Sequence, residues 1–224
     1  MSKEIAASTA SALAARRESM VDRLAGLGGG SGLQAIRLAS RHFVFPDDVK
    51  VRDNLEVIVL DWALSYNYYD KPFVRGESTF PVCFAVGQSA TTMAPSDNSP
   101  NKQNDVCATC PQNQFGSGQG NAKACQNRIS LAVQVVEHGP DSPVYRISVS
   151  PTGIKNWKSF ASALAERNVL PIQVVTRLGF DDSVAYDRLT FAAARKTPDL
   201  DEYVANMDRA TQLLLVEPKP RDDD

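Results

Sequence analysis

Four cysteines, Cys83, Cys107, Cys110 and Cys125, fall in the middle of the 224-residue chain with the spacing C-x23-C-x2-C-x14-C. Around the close pair the sequence runs CATCPQNQFGSGQGNAKAC, where Pro111 and then Gly116, Gly118 and Gly120 favour sharp turns and almost nothing is available to fill a core. A segment this poor in apolar side chains needs another organiser. A Cys-x-x-Cys pair brings two thiolates within reach of one ion, so a tetrahedral structural Zn2+, one per chain, is the favoured reading. A redox-active or disulfide-forming pair and unrelated buried thiols are the alternatives. Cys83 lies in the apolar run FPVCFAV, where a lone Cys also reads as a small buried hydrophobe, and His138 in VVEHGPD is the alternative fourth ligand. His42, in RHFVF, reads as a strand residue. Four thiolates would leave no open coordination position, which makes such a metal structural and not catalytic.

The rest of the chain has ordinary globular composition, 43% hydrophobic and 22% charged, which excludes disorder throughout. Residues 1–27 read as a weak amphipathic helix: Ala6, Leu13, Met20 and Leu27 recur at sevens with Ala10 and Leu24 between, and Arg17 interrupts the second row. Such a helix suits self-association into a homo-oligomer. Residues 28–32 form a Gly-rich linker, and a body follows over 33–196 with the zinc insertion at about 83–128. Runs rich in β-branched and aromatic residues predict strands at Leu38–Phe45, Leu55–Tyr69, Phe80–Val86, Ile129–His138 and Val144–Ser150. PTGIKNWKSFASALAERN predicts a helix with Ile154, Trp157, Phe160, Ala161 and Leu164 on one face, Thr152 as cap and Asn168 near the stop. VVTRLGF and AYDRLTFAAARK, joined by Asp181-Asp182-Ser183, predict a hairpin, and residues 197–224 a single closing helix with an acidic tail. The class is α+β, mainly β. A five-stranded Greek-key barrel with one helix before its last two strands is the OB-fold plan, here with an inserted zinc-binding loop and N- and C-terminal helices.

Formal charge is -2, which argues against coating nucleic acid by bulk positive charge. Its distribution is uneven: from Thr197 onward eight acids face three bases, so the remainder of the chain is mildly basic. An acidic end of this kind serves either as a solubilising end or as an interaction tail. No apolar run approaches the roughly 20 residues of a membrane-spanning helix. Glu4 and the Ala/Ser-rich stretch after it do not make a signal peptide, so an intracellular protein without membrane partners is expected.

The order PVCFAVG, CATCPQNQFGSGQGNAKAC, VSPTGIKNWKSFASAL, VVTRLGF and YDRLTF resembles a group of zinc-containing proteins of tailed bacteriophages regarded as single-stranded-DNA-binding proteins. The similarity covers roughly Leu55–Ala194, and all four Cys positions match. The family pattern is nearer C-x-x-C-P-x-N-x-W-G-S followed by GKGKAC. Here Phe115 stands for the Trp, and Gln119 and Asn121 replace more basic positions. The resemblance implies a structural zinc on Cys83, Cys107, Cys110 and Cys125, and single-stranded DNA as partner. It also implies a role in replication in the cytoplasm of the infected bacterial host, with Asp222, Asp223 and Asp224 recruiting replication or transcription proteins.

A sequence-tolerant single-strand binder needs a basic groove and exposed rings on which bases stack. The candidates are Tyr69, Lys71, Phe73 and Arg75 at and beyond a strand end, Phe115, Lys123 and Arg128 in and after the cysteine loop, Arg146 and Arg177 on strands, and Lys155 and Lys158 on the helix. In a strand Trp62, Leu64, Tyr66 and Tyr68 share one face, so at least half of these rings belong to the core, as does Trp157. A phage transcription or replication accessory factor acting through polymerase contact, and a zinc-stapled structural or assembly protein, are the alternatives. An enzyme is not expected: phosphate-loop, metalloprotease, nucleophile-elbow and zinc-deaminase signatures are absent. A carboxylate nuclease using Glu56, Asp61 and Asp70 is the weakest reading.

Overall fold

The computed structural model describes residues 33–71 and 80–218. The expected N-terminal helix and linker, Phe73, Arg75, and Asp222, Asp223 and Asp224 lie outside the described residues. One compact unit runs over Leu33–Asp224. Its order is β1 (Gln34–Ala39), β2 (His42–Val44), β3 (Lys50–Arg52), β4 (Leu55–Tyr68), β5 (Cys83–Gly87), β6 (Gln126–Val135), β7 (Tyr145–Val149), α1 (Ile154–Ala165), β8 (Val174–Phe180), β9 (Leu189–Lys196), α2 (Leu200–Val204) and α3 (Met207–Leu214). The result is a mixed α+β unit dominated by one curled sheet, barrel-like but open.

Strand β4 organises everything else. Its apolar residues attract partners along both edges: β6 pairs antiparallel with it over Val57–Asn67, while the other edge takes β8 at Leu55–Ile58 and β5 at Leu64–Tyr68. β7 continues from β6 and β9 from β8, all antiparallel, and α1 lies in sequence between β7 and β8. β1 adds parallel to β7, Gln34 opposite Tyr145, and carries the β1–β2–β3 meander outward, so the sheet ends at β3 and β9. Among the described residues nine strands stand where a five-stranded barrel was expected.

A bulge places Val59 opposite Val133 but Asp61 opposite Ala132, leaving Leu60 as the extra residue of β4. One extra residue reverses the inward parity of a strand. Before it, Leu55, Val57 and Val59 enter the main core with Leu131, Val133, Ile147, Val149 and Leu178; after it, Trp62 and Leu64 do. Trp157 of α1 is 2% exposed and meets the Trp62 ring edge-on at 6.2 Å. A second core, Ile58, Leu60, Ala63 and Ala132, is covered by Tyr203 of α2 and by Ala210 and Leu214 of α3.

Several expected boundaries differ. The run Leu38–Phe45 is two strands, because Ser40 and Arg41 both adopt left-handed φ (50° and 61°) and turn the chain between them. Thr152 does not cap α1. Pro151–Gly153 first makes a 3-10 turn, Gly153 holds the cap position without a side-chain bond, and Thr152 Oγ1 instead meets Ser150 Oγ at 3.1 Å. Asn168 does end the helical segment, with φ 54° and its N–H donating to Ala165 O. The closing helix is broken at Ala205–Asn206 into α2 and α3, where the Asn206 amide turns aside to donate to Pro140 O and Gln134 Oε1. Among the described residues no helix is long and apolar enough to cross a membrane.

Candidate metal centre and nucleic-acid interface

The cysteine segment hangs between β5 and β6, beside the C-terminal half of β4. Cys83 opens β5 opposite Tyr68; Cys107 and Cys110 flank a 3-10 turn, and Cys125 immediately precedes β6. All four are free thiols and line one cavity of about 20 Å3 together with Tyr66 and Asn113, room for one water-sized body. Their sulfurs sense one another. Burial first, then the neighbouring sulfurs of Cys83 and Cys110, pushes the Cys107 thiol up to about 11. Burial followed by Cys107, Cys110 and Cys83 pushes Cys125 up to about 12. The thiols are not drawn into a finished coordination shell: among the described residues no group of three or more His, Cys, Asp or Glu is set to hold an ion as placed. The fit to Zn2+ is therefore one of donor chemistry, four soft thiols lining one small cavity. His138 is not among them; it ends a 3-10 turn after β6, its ring 6.0 Å from that of Phe45.

Hydrogen bonds shape the loop. Cys107 N–H donates to Met93 O, Cys110 N–H to Cys107 O and Cys125 N–H to Gln112 O. Gly116 and Gly120 take positive φ, and a Cβ on Gly118 would lie 2.9 Å from the Ala124 nitrogen and the Lys123 carbonyl carbon. Only glycine fits there. Asn113, 6% exposed, is the node: its Nδ2 donates to Cys107 O at 2.7 Å, and its Oδ1 accepts from Asn127 Nδ2 at 2.9 Å and Lys123 Nζ at 3.1 Å. Phe115 stands 76% exposed with Lys123 Nζ 5.0 Å from its ring centre, a cation–π contact.

A groove of about 330 Å3 opens on the outer face of β1, β7 and β6, lined by Arg37, Arg128, Arg146, Ser148, Ser150 and Asp187 among others. Its residues alternate with core ones: Arg146 and Ser148 with Ile147 and Val149, and Arg128 with Ile129. Arg37 is paired with Asp48 at 3.0 Å. Among the described residues neither Arg128 nor Arg146 has an ion-pair partner. Arg146 is exposed as a residue, yet the groove walls shield its guanidinium enough that burial pulls its pKa below the ordinary value. It stays cationic at neutral pH. Asp187 sits at the groove through another duty: its carboxylate accepts from Arg41 N–H at 2.7 Å and Ser40 N–H at 3.1 Å, the two left-handed residues, and so clasps the β8–β9 loop to the β1–β2 turn.

The structure thus brings Arg128 and Arg146 together, and Phe115 with Lys123. Lys155 and Lys158 are exposed on α1, Lys71 is exposed and Tyr69 half-buried just past β4, and none of these lines the groove. Arg177 is already engaged, holding Glu56 at 2.9 Å together with Arg195. Two of the three carboxylates of the nuclease reading have separate surroundings: Glu56 holds those arginines, while Asp61 accepts from Thr211, Gln88 and its neighbour Trp62 N–H. Arg37, Ser148, Ser150, Asp187 and Asn113 were not singled out from sequence. The alternation of polar with apolar residues along β6 and β7 was the available signal for the serines.

No family model, curated protein or solved structure matches the chain.

Proposed function

We propose that the chain binds single-stranded nucleic acid, DNA by its resemblance to the phage proteins, without catalysing a reaction. The observation that carries this reading is the groove of Arg128 and Arg146, two cations without carboxylate partners, among hydroxyls on an otherwise alternating sheet face. Backbone phosphates supply the missing counter-charge, and the exposed Phe115 ring offers a surface for a base.

The pairing pattern supports an OB-like reading of the barrel. β4, β6 and β7, then α1, then β8 paired to β4, then β9, follow the order of an OB fold, with β1 lying beside β7. In that reading the β6–β7 face corresponds to the second and third strands, where such folds take oligonucleotides, and the cysteine loop lies between the first and second. Cys83, Cys107, Cys110 and Cys125 would hold one structural Zn2+, whose chemistry is that of a cross-link for a loop with little core of its own. Asp222, Asp223 and Asp224 would recruit replication or transcription partners, and the N-terminal segment would support self-association.

The test is a fluorescence-anisotropy titration of labelled single- and double-stranded 30-mers at low and near-physiological salt, with zinc measured on the same sample. Tight, salt-sensitive preference for the single strand with one zinc per chain is expected. Arg146→Gln should weaken binding and flatten the log-log salt slope by about 0.7, the value of one phosphate contact on a single strand. Stoichiometric zinc without binding to either strand form would sink the reading in favour of a structural or assembly role.

A further inference from the structure

An exposed phenylalanine ring gives up rotamer freedom when a base stacks on it. Phe115 is different in its surroundings. The Lys123 ammonium lies over its ring at 5.0 Å and is itself tied at 3.1 Å to Asn113 Oδ1. Asn113 cannot swing to follow the lysine, since its Nδ2 is bound to Cys107 O and its Oδ1 also holds Asn127, the neighbour of the groove-lining Arg128. The chain of contacts runs from the cysteine turn through a buried amide to a cation and then to an exposed ring.

We propose that Asn113 is a positioning residue that pre-orients the Phe115 ring through Lys123, making the tip of the cysteine loop a preset base-stacking platform. The inference rests on the single-strand-binding reading and adds the residue that sets its stacking contact. Asn113 itself touches no base. Its amide fixes the lysine, and the lysine fixes the ring by cation–π attraction, so less order has to be imposed when a base binds. The polar neighbours Gln112, Gln114 and Ser117 hold the loop backbone through Ser117 Oγ and Gln114 Nε2, which keeps the platform's base in register.

The experiment uses the full-length chain, a labelled single-stranded 30-mer and zinc analysis of every sample. Phe115→Ala should weaken binding about tenfold, within the range of ~5- to 150-fold that loss of one stacked base gives. Asn113→Ala should weaken it several-fold while keeping one zinc per chain and the wild-type salt slope, because no phosphate contact is lost. Lys123→Met, which leaves the buried amide in place, should also weaken binding. In the double variants N113A/F115A and K123M/F115A the losses should not multiply, since without the ring there is nothing left to orient. A purely structural role would move zinc content instead. Losses that multiply in both double variants, or wild-type affinity in K123M together with zinc loss in N113A, would overturn the proposal. Failure of the functional reading is separately visible, because the wild-type chain would then bind no oligonucleotide at all.

Discussion

The sheet body and the cysteine loop are held together by different physics, although one strand, β4, serves both. In the body, Phe43, Val57, Leu131, Val133, Ile147 and Trp157 are 0–2% exposed and pack into one continuous core. Over residues 88–125 the buried side chains are Met93, Cys107 and Cys110 with the polar Ser96, Ser99 and Asn113. Apolar burial can stabilise the first region unaided. The second has too little of it, and relies on hydrogen bonds from Asn113, Gln114 and Ser117, with four thiols lining a small cavity at its base. The lesson is that a fold can carry an element that its hydrophobic core does not stabilise, held by polar contacts of its own.

On the proposed zinc reading, removing the metal is the strongest way to break the comparison. Chelation, or Cys107→Ser, should melt the loop and leave the body folded: trypsin should then cut after Lys102 and Lys123 while far-ultraviolet circular dichroism and the thermal transition of the body persist. Simultaneous collapse of both regions would show that the body depends on the loop. Next in size, Trp157→Ala removes the ring that closes the main core and should cost about 3–5 kcal/mol in urea unfolding, as for large aromatic deletions. Zinc content of the folded fraction should not change. Gly118→Ala should act the other way round, since its Cβ would meet loop backbone at 2.9 Å. Its expected cost of about 1–3 kcal/mol falls on the loop, read as weaker zinc retention against a competing chelator, with the body's urea midpoint held.

The smallest effect sharpens the contrast within the body's surface. Arg195 first, then Arg177, hold the Glu56 carboxyl below its ordinary value of 4.5. A carboxyl depressed by folding stabilises the native state above its unfolded pKa, and that contribution disappears as pH falls through the lower native value. The side chain is 30% exposed, so solvent screens the pair and Glu56→Gln should cost under about 1 kcal/mol at neutral pH. The difference between variant and wild type should shrink below about pH 4.5 in unfolding titrations. A difference that grows on acidification would contradict the assignment.

Long apolar segments and hairpin chemistry made much of the body legible in sequence: β4, β6, β7, α1 and the β8–β9 hairpin stand where their patterns predict, within a few residues. The β1–β3 meander was not legible, because its first turn is made by Ser40 and Arg41 in left-handed conformations that glycine usually marks, and Asp187, far along the chain, holds it. The same limit applies at the candidate site. Cysteine spacing announces four convergent thiols, and an aromatic in a Gly-rich loop announces exposure. Asn113 looks like any other polar loop residue until its three partners are seen, and Arg177 looks free until Glu56, 121 positions away, is beside it.

The parallel pairing of β1 with β7 has a consequence for how the chain assembles. Parallel neighbours cannot be joined by a tight turn, and on the order of a hundred residues separate Gln34–Ile36 from Tyr145–Ile147. During synthesis β1 emerges long before its partner exists. Contacts of such large sequence separation form late and slow folding. The β1–β3 meander should thus dock late, onto a β4–β6–β7 sheet already made. Until it does, the outer edge of β7 is an unpaired strand edge, the place where a nascent or partly unfolded molecule is most open to capture by another strand.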